Sequence, residues 1–188
     1  MKRDITQNLV AEHRLILRML DILERNAMLT RSGNYRTYRF YLDGVDFIRN
    51  FADRFHHAKE EDVLFRALVE NGMPRENSPV AAMLMEHDHG RAFVRKMEEA
   101  TLAALRGDQN RDEEIASFAL AYVSLLREHI SKEDQILYPL AERVIPEEMR
   151  DDIIREYDAA ESRVPAGYGE HYAEVIARYA AEPLEQAA

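Results

Sequence analysis

The 188 residues contain no cysteine, and that absence removes disulfides, thiolate nucleophiles, iron–sulfur clusters and cysteine-type zinc sites together. Any metal must then be held by imidazole and carboxylate, an N/O environment that favours iron, manganese or zinc over soft metals. Glycine and proline are scarce, at 7 and 6 positions, while 46% of residues are apolar and 32% charged. Collagen-like and disordered readings fall away, and a compact helix-rich chain is expected. Cations are outnumbered too: the 25 Lys and Arg face 35 Asp and Glu, for a net charge of -10. Nucleic acid and anionic membranes are therefore unfavoured partners, because both need a basic face. No apolar run is long enough to span a bilayer, and the opening MKRDITQNLV lacks the apolar core of a signal peptide, so a cytoplasmic location is expected. Nucleophile elbow, phosphate loop and dinucleotide fingerprint are all missing.

What is present is helical periodicity. Leu9, Ile16, Leu20 and Leu23 share one stripe, with Asp4 or Thr6 as a cap and Gly33 as a stop. A second run starts near Tyr35, carries Ile48, Phe51, Phe55, Val63, Leu64 and Leu68, and ends at the breaker NGMP of residues 71–74, with a bend expected near Gly44. Ser78 followed by Pro79 reads as an N-cap and first helical residue; that third helix runs to about Arg106, before Gly107. The fourth begins near Asp112 with acids in its first turn, which suits the helix dipole. Pro139 is placed to kink or end it. A helix from Pro146 and another from about residue 169 follow. No period-two segment is long enough for a sheet. The expected class is all-α: an antiparallel up-down-up-down four-helix bundle over residues 1–145, with a helical extension over 146–188 packed on it.

Seven histidines stand at 13, 56, 57, 87, 89, 129 and 171. A lone histidine on an apolar face is usually a core residue, so the argument rests on joint placement. His13 shares a face with Leu9, Ile16, Leu17 and Leu20. His129 follows Tyr122, Leu125 and Leu126 and precedes Ile136 on the same stripe. His87 lies between Met83 and Leu84 on one side and Val94 and Met97 on the other. His56 has Ile48, Ala52, Val63 and Leu64 for neighbours, whereas His57 has Asn50, Asp53, Arg54 and Glu61. His56 is expected to face inward and His57 the polar side; His89 sits at a boundary and His171 in the extension.

An inward histidine carries its fourth successor to the same side of a helix. The stretches HHAKEEDVLF and HISKEDQILY thereby aim Glu60 and Glu133 at the core beside His56 and His129, and Phe65 and Tyr138 follow in the same register. Two buried carboxylates among four imidazoles are costly unless a metal compensates them. The expected metal residues are His13, His56, Glu60, His87, His129 and Glu133.

The quartet AEHRLI, HHAKE, MEHDHGR and HISKE resembles the hemerythrin-like, or HHE cation-binding, family over roughly residues 5–143. That resemblance implies an up-down-up-down bundle holding two non-haem irons, with Glu60 and Glu133 bridging and the histidines as terminal ligands. Glu12, Glu86 and Asp134 are candidates to orient the imidazoles. The oxygen carriers of the family have a further histidine four residues along helix three; here that position is Arg91. The candidates for a fifth histidine are His57, His89 and His171, and fewer protein ligands would leave more positions for solvent, dioxygen, peroxide or nitric oxide.

The expected function is a non-haem di-iron protein that binds or reacts with small oxidants in sensing, stress defence or iron handling, with zinc or manganese as alternative metals. The competing expectation is an interaction module whose metal is structural or absent. The extension, with Tyr168, His171, Tyr172 and Tyr179, has the composition to cap the site or to mediate homodimerisation.

Overall fold

The computed structural model describes residues 3–182, so the first two residues of the expected bundle and the last six of the extension lie outside the described residues. Six helices account for the architecture, and no strand occurs among the described residues. Helix α1 is Gln7–Arg31. Asp4 rather than Thr6 caps it, its Oδ1 accepting the backbone N–H groups of Thr6 at 2.9 Å and Gln7 at 3.0 Å.

Helix α2 spans residues 38–70 and is not a uniform α-helix. Tyr38–Phe47 and Phe65–Glu70 are α-helical, whereas Ile48–His57 and Glu60–Leu64 are π-helical. The irregularity starts four residues beyond Gly44, where a bend was expected, and Gly44 itself is α-helical. Helix α3 is Pro79–Leu105, capped by Ser78 Oγ accepting the N–H of Ala81 at 3.2 Å. Helix α4 spans residues 112–144: Asp112–Lys132 is α-helical, Glu133–Leu137 π-helical and Tyr138–Val144 α-helical again. Pro139 does not end it; the wide turn immediately before Pro139 adjusts the ladder where the proline ring removes an N–H. Helix α5 is Glu147–Glu161 and α6 is Tyr168–Ala180.

The helices bury two apolar clusters. One gathers Leu20, Leu23, Phe47, Phe51, Val94, Met97, Ala119 and Leu126, and α6 adds Tyr172, Ile176 and Tyr179. The other gathers Leu9, Val63, Leu64, Leu68, Val80, Met83, Leu137 and Tyr138, and α5 adds Ile153 and Tyr157. Along α1 to α3 the histidines and glutamates of interest fall between the residues given to one cluster and those given to the other, and on α4 Glu133 does so, with His129 beside Ile130, the last α4 residue of the first cluster. The polar layer thus lies inside the bundle, between two dry layers that keep water from its sides.

No helix of the described residues is long and apolar enough to cross a membrane.

Candidate metal centre

The six residues expected from the sequence come together. His13, His56, His87 and His129 are each 1% exposed, and Glu60 and Glu133 are fully buried. Two sets of donor atoms are close enough to hold a cation each: His13, His56, Glu60 and Glu133 form one, and His57, Glu60, His87 and His129 the other, with every donor atom in a set within 4.8 Å of the rest. Glu60 belongs to both. Its Oε2 lies 3.6 Å from Nε2 of His56 and 3.6 Å from Nε2 of His87. Glu133 spans the same gap, Oε2 being 3.4 Å from Nε2 of His13 and Oε1 3.2 Å from Nε2 of His129.

His57 is the correction. It is buried, at 6% exposure, and stacks on His87 with ring centroids 3.7 Å apart. The expectation that it faces the polar side assumed the 100° step of an α-helix, but Ile48–His57 is π-helical, and its wider turn rotates successive side chains by less. Adjacent histidines can then both look inward. The same effect moves Ile136, expected on the inward stripe of α4: within the π-helical Glu133–Leu137 it is 58% exposed, and Leu137 is the buried residue instead. Of the other two candidate histidines, His89 and His171 are exposed and belong to neither set.

Every one of the five inward imidazoles has a carboxylate at Nδ1. His13 meets Asp134 at 2.8 Å, His56 meets Glu12 at 2.8 Å, His87 meets Glu61 at 2.6 Å and His129 meets Glu86 at 3.0 Å; His57 and Asp53 are more distant, at 3.4 Å. A carboxylate that accepts the Nδ1 proton fixes the tautomer and leaves an Nε2 lone pair pointing inward, the arrangement that metal-bound histidines use. Glu12, Glu86 and Asp134 are the three expected from the sequence; Glu61 and Asp53 are additions. A signal for Glu61 existed, since it follows Glu60 as Asp134 follows Glu133.

The construction is duplicated. Glu12-His13 on α1 and Glu86-His87 on α3 repeat one dipeptide, and His56-x-x-Lys59-Glu60 on α2 and His129-x-x-Lys132-Glu133 on α4 repeat one pentapeptide. In both copies the lysine also grips the carboxylate behind the histidine: Lys59 bonds Glu12 and Lys132 bonds Glu86. Arg91, which stands where the oxygen carriers have a ligand, binds Asp53 and Glu61, each at 2.7 Å, and so holds the carboxylates that serve His57 and His87.

Without a cation, the charges inside the layer are balanced by protons held at shifted pKa values. Burial and the neighbouring Glu133 charge push the Glu60 carboxyl well above the usual carboxylate range. Burial also acts against the Glu133 anion, but the imidazoles of His129 and His13 outweigh it and hold its pKa well below that range. Burial disfavours the imidazolium of His13 too, yet Asp134 and Glu133 raise its pKa to about 9. His57 goes the other way, to about 4, through burial and the nearby His87 charge. Glu60 Oε2 and both oxygens of Glu133 have no hydrogen-bond donor, and Nε2 of His87 and His129 are 2.9 Å apart. Buried carboxylate oxygens without a hydrogen-bond donor cost ~1–3 kcal/mol each or more, and a bound cation is what this donor set fits. Tyr138, which donates its hydroxyl to Glu60 Oε1 at 2.5 Å, is the one protein donor to these four oxygens among the described residues.

The family model of the hemerythrin HHE cation binding domain matches residues 4–141. The chain is also 24% identical over 133 residues to uncharacterized proteins of Mycobacterium bovis and of two Mycobacterium tuberculosis strains. That alignment covers 71% of this chain and 51% of each relative, so the chain spans about half the length of the curated relatives it matches. No solved structure matches it. The family match covers most of the chain and encloses every residue of the buried centre, and the chain belongs to the hemerythrin HHE cation-binding domain family.

Proposed function

We propose that the centre holds two non-haem iron ions, one in each donor set, and that the protein binds or reacts with a small oxidant there: dioxygen, peroxide or nitric oxide. The observation that carries this reading is the pair of donor sets sharing Glu60, with Glu133 facing both. Glu60 and Glu133, which face both sets, would offset about half the charge of two divalent cations, and imidazoles suit both ferrous and ferric states. His13 and His56 would bind one ion; His57, His87 and His129 the other. When bound, iron would supply one-electron chemistry and positions for an external ligand; the protein's part is to orient the imidazoles through the Nδ1 carboxylates and to exclude water with the apolar layers. The up-down-up-down order belongs to this proposal and is supported by the way α1 and α3 pass from the second cluster to the first, and α2 and α4 from the first to the second.

Zinc and manganese fit the same atoms, so metal counting decides. Protein purified with iron supplied should carry about two irons per chain and show ferric absorption that changes with added oxidant; a wild-type protein that takes up no cation would overturn the reading. The interaction-module alternative has no comparable support, because a packing role does not require five imidazoles each backed by a carboxylate.

A further inference from the structure

A cavity of about 230 Å³ opens onto the centre on its His57 and His87 side, with Gly90 and Tyr122 in its wall. Its existence follows from one break in the duplication. Three residues beyond His13 comes Ile16, buried in the core; three residues beyond His87 comes Gly90. A Cβ on Gly90 would already stand 3.4 Å from the Tyr122 ring, so a longer side chain there would fill the space.

The lining is cationic in a chain of net charge -10: four arginines against Asp53 and Glu86. Two of the arginines are compensated, Arg49 by Glu98 and Arg91 by Asp53 and Glu61. Arg54 donates only to Asn50, at 3.2 Å, and Arg95 has no ion-pair partner among the described residues. Tyr122 adds an unused donor: the residue is 2% exposed, yet its hydroxyl makes no hydrogen bond within the described residues. Burial and the Asp53 charge push that phenol far above its ordinary pKa, so it stays protonated.

We propose that this cavity is an anion-selective vestibule: a small monoanion is drawn in past Arg54 and Arg95, takes the hydrogen bond that Tyr122 has to give, and meets the centre at its His57/His87 side. Uncompensated cations around a low-dielectric cleft concentrate anions and leave neutral diatomics unaffected. The inference rests on the metal reading above for what the anion meets, though not for the vestibule itself, since Arg54, Arg95, Gly90 and Tyr122 belong to neither donor set.

The test uses azide as the probe, titrated calorimetrically into protein loaded with redox-inert zinc, with bound metal counted in every sample. Arg54→Gln combined with Arg95→Gln, both exposed positions, should weaken azide binding about tenfold and flatten its salt dependence. Tyr122→Phe should weaken it roughly three- to tenfold, and Gly90→Leu should abolish it, all with metal content unchanged; Gly90→Ala gives a graded version if the leucine variant does not fold. No azide binding to the wild type, or an unchanged affinity in the arginine variant, overturns the vestibule. Should the wild type take up no metal, the metal reading fails by the count; azide is then titrated into the metal-free wild type and arginine variant, where weaker binding to the variant supports the vestibule and equal or absent binding overturns it.

Discussion

The His13/His56 half of the centre and the His87/His129 half are assembled from the same parts, a Glu-His dipeptide and a His-x-x-Lys-Glu pentapeptide, yet they face different surroundings. The first half is sealed. Lys59 is fully buried between Glu12 and Glu161 of α5, Tyr138 stacks near His13 and bonds Glu60, and Tyr157 closes the layer from the extension. The second half is open. Lys132, the counterpart of Lys59, is 39% exposed, Phe65 stands in place of Tyr138 and offers no hydroxyl to Glu133, and Gly90 leaves a cavity where the first half has Ile16. What the open half gains is His57, the one inward imidazole without a counterpart, since Ile130 follows His129. The duplicated residues give the two halves matching donors, and the unduplicated neighbours leave a cavity beside the second.

The largest effects should come from the residue both halves share. Glu60→Ala removes a donor from both sets, and metal analysis should find almost none bound, whereas His56→Ala and His87→Ala, each confined to one half, should leave about one cation per chain. Equal losses in all three variants would show that the halves do not load separately. In metal-free protein Glu60→Ala should destabilise little, because deleting a carboxyl that is costly to bury offsets the hydrogen bond withdrawn from the Tyr138 hydroxyl.

Next in size is the contrast between the two backing carboxylates. Glu12→Gln deprives the fully buried Lys59 of one of its two partners and should lower unfolding stability by ~2–4 kcal/mol, as expected for an imperfectly compensated buried charge. Glu86→Gln frees a lysine that can turn to water and should cost less than about 1 kcal/mol. Both should weaken metal binding by about 10- to 100-fold. Denaturant unfolding of metal-free protein reads the first difference, and similar values for the two variants would remove the distinction between a sealed and an open half.

Much of this was legible in the sequence because the six central residues announce themselves twice. The inward stripes on α1 and α3 and the i, i+4 pairs on α2 and α4 survive in the structure as the atoms that face one another. His57 was not legible in the same way, because a reading by α-helical period has no means of placing a π-helical stretch; its polar neighbours Asn50 and Asp53 pointed outward, and one of them, Asp53, is its carboxylate partner. The helix count followed from breakers such as Gly107 and the capping pair Ser78-Pro79, whose signals are local. The burial of Lys59 was invisible for the opposite reason: it depends on Glu161, 102 residues away.

A pH dependence of metal uptake follows from the protons that the layer holds. With its pKa raised to about 9, the first half's His13 is protonated at neutral pH, and burial and the Glu133 charge push Glu60 toward its protonated form as well. A cation must displace these protons, so affinity is greatest above about pH 9 and falls as pH drops, by about tenfold per pH unit for each proton released. In the second half His57, with a pKa near 4, is already neutral, whereas burial of His129 is outweighed by Glu133 and Glu86, which raise its pKa and favour its protonated form. If the halves load separately, the first half should fill completely only as pH approaches 9, where His13 gives up its proton, with the Glu60 proton released in whichever step comes first in weakly buffered solution. Simultaneous filling with one shared proton count would mean that Glu60, common to both, governs the pair.

The smallest effect is the most selective. Tyr138 and Phe65 hold equivalent places, stacked 5.5 Å from His13 and 6.0 Å from His87, and differ by one hydroxyl. Tyr138→Phe removes the only donor to Glu60 among the described residues and should destabilise metal-free protein by ~1–2 kcal/mol. Phe65→Tyr, if the duplication extends to the position of the hydroxyl, supplies Glu133 with the donor it lacks and should return ~0.5–1 kcal/mol. The exchange of both residues should then leave stability near the wild-type value, while the affinity for metal shifts between the halves, since a carboxylate that accepts a phenolic hydrogen bond is the poorer donor to a cation. Were Phe65→Tyr as damaging as Tyr138→Phe, the hydroxyl would be serving local packing around α5, where Tyr157 lies, and the asymmetry between Glu60 and Glu133 would need another source.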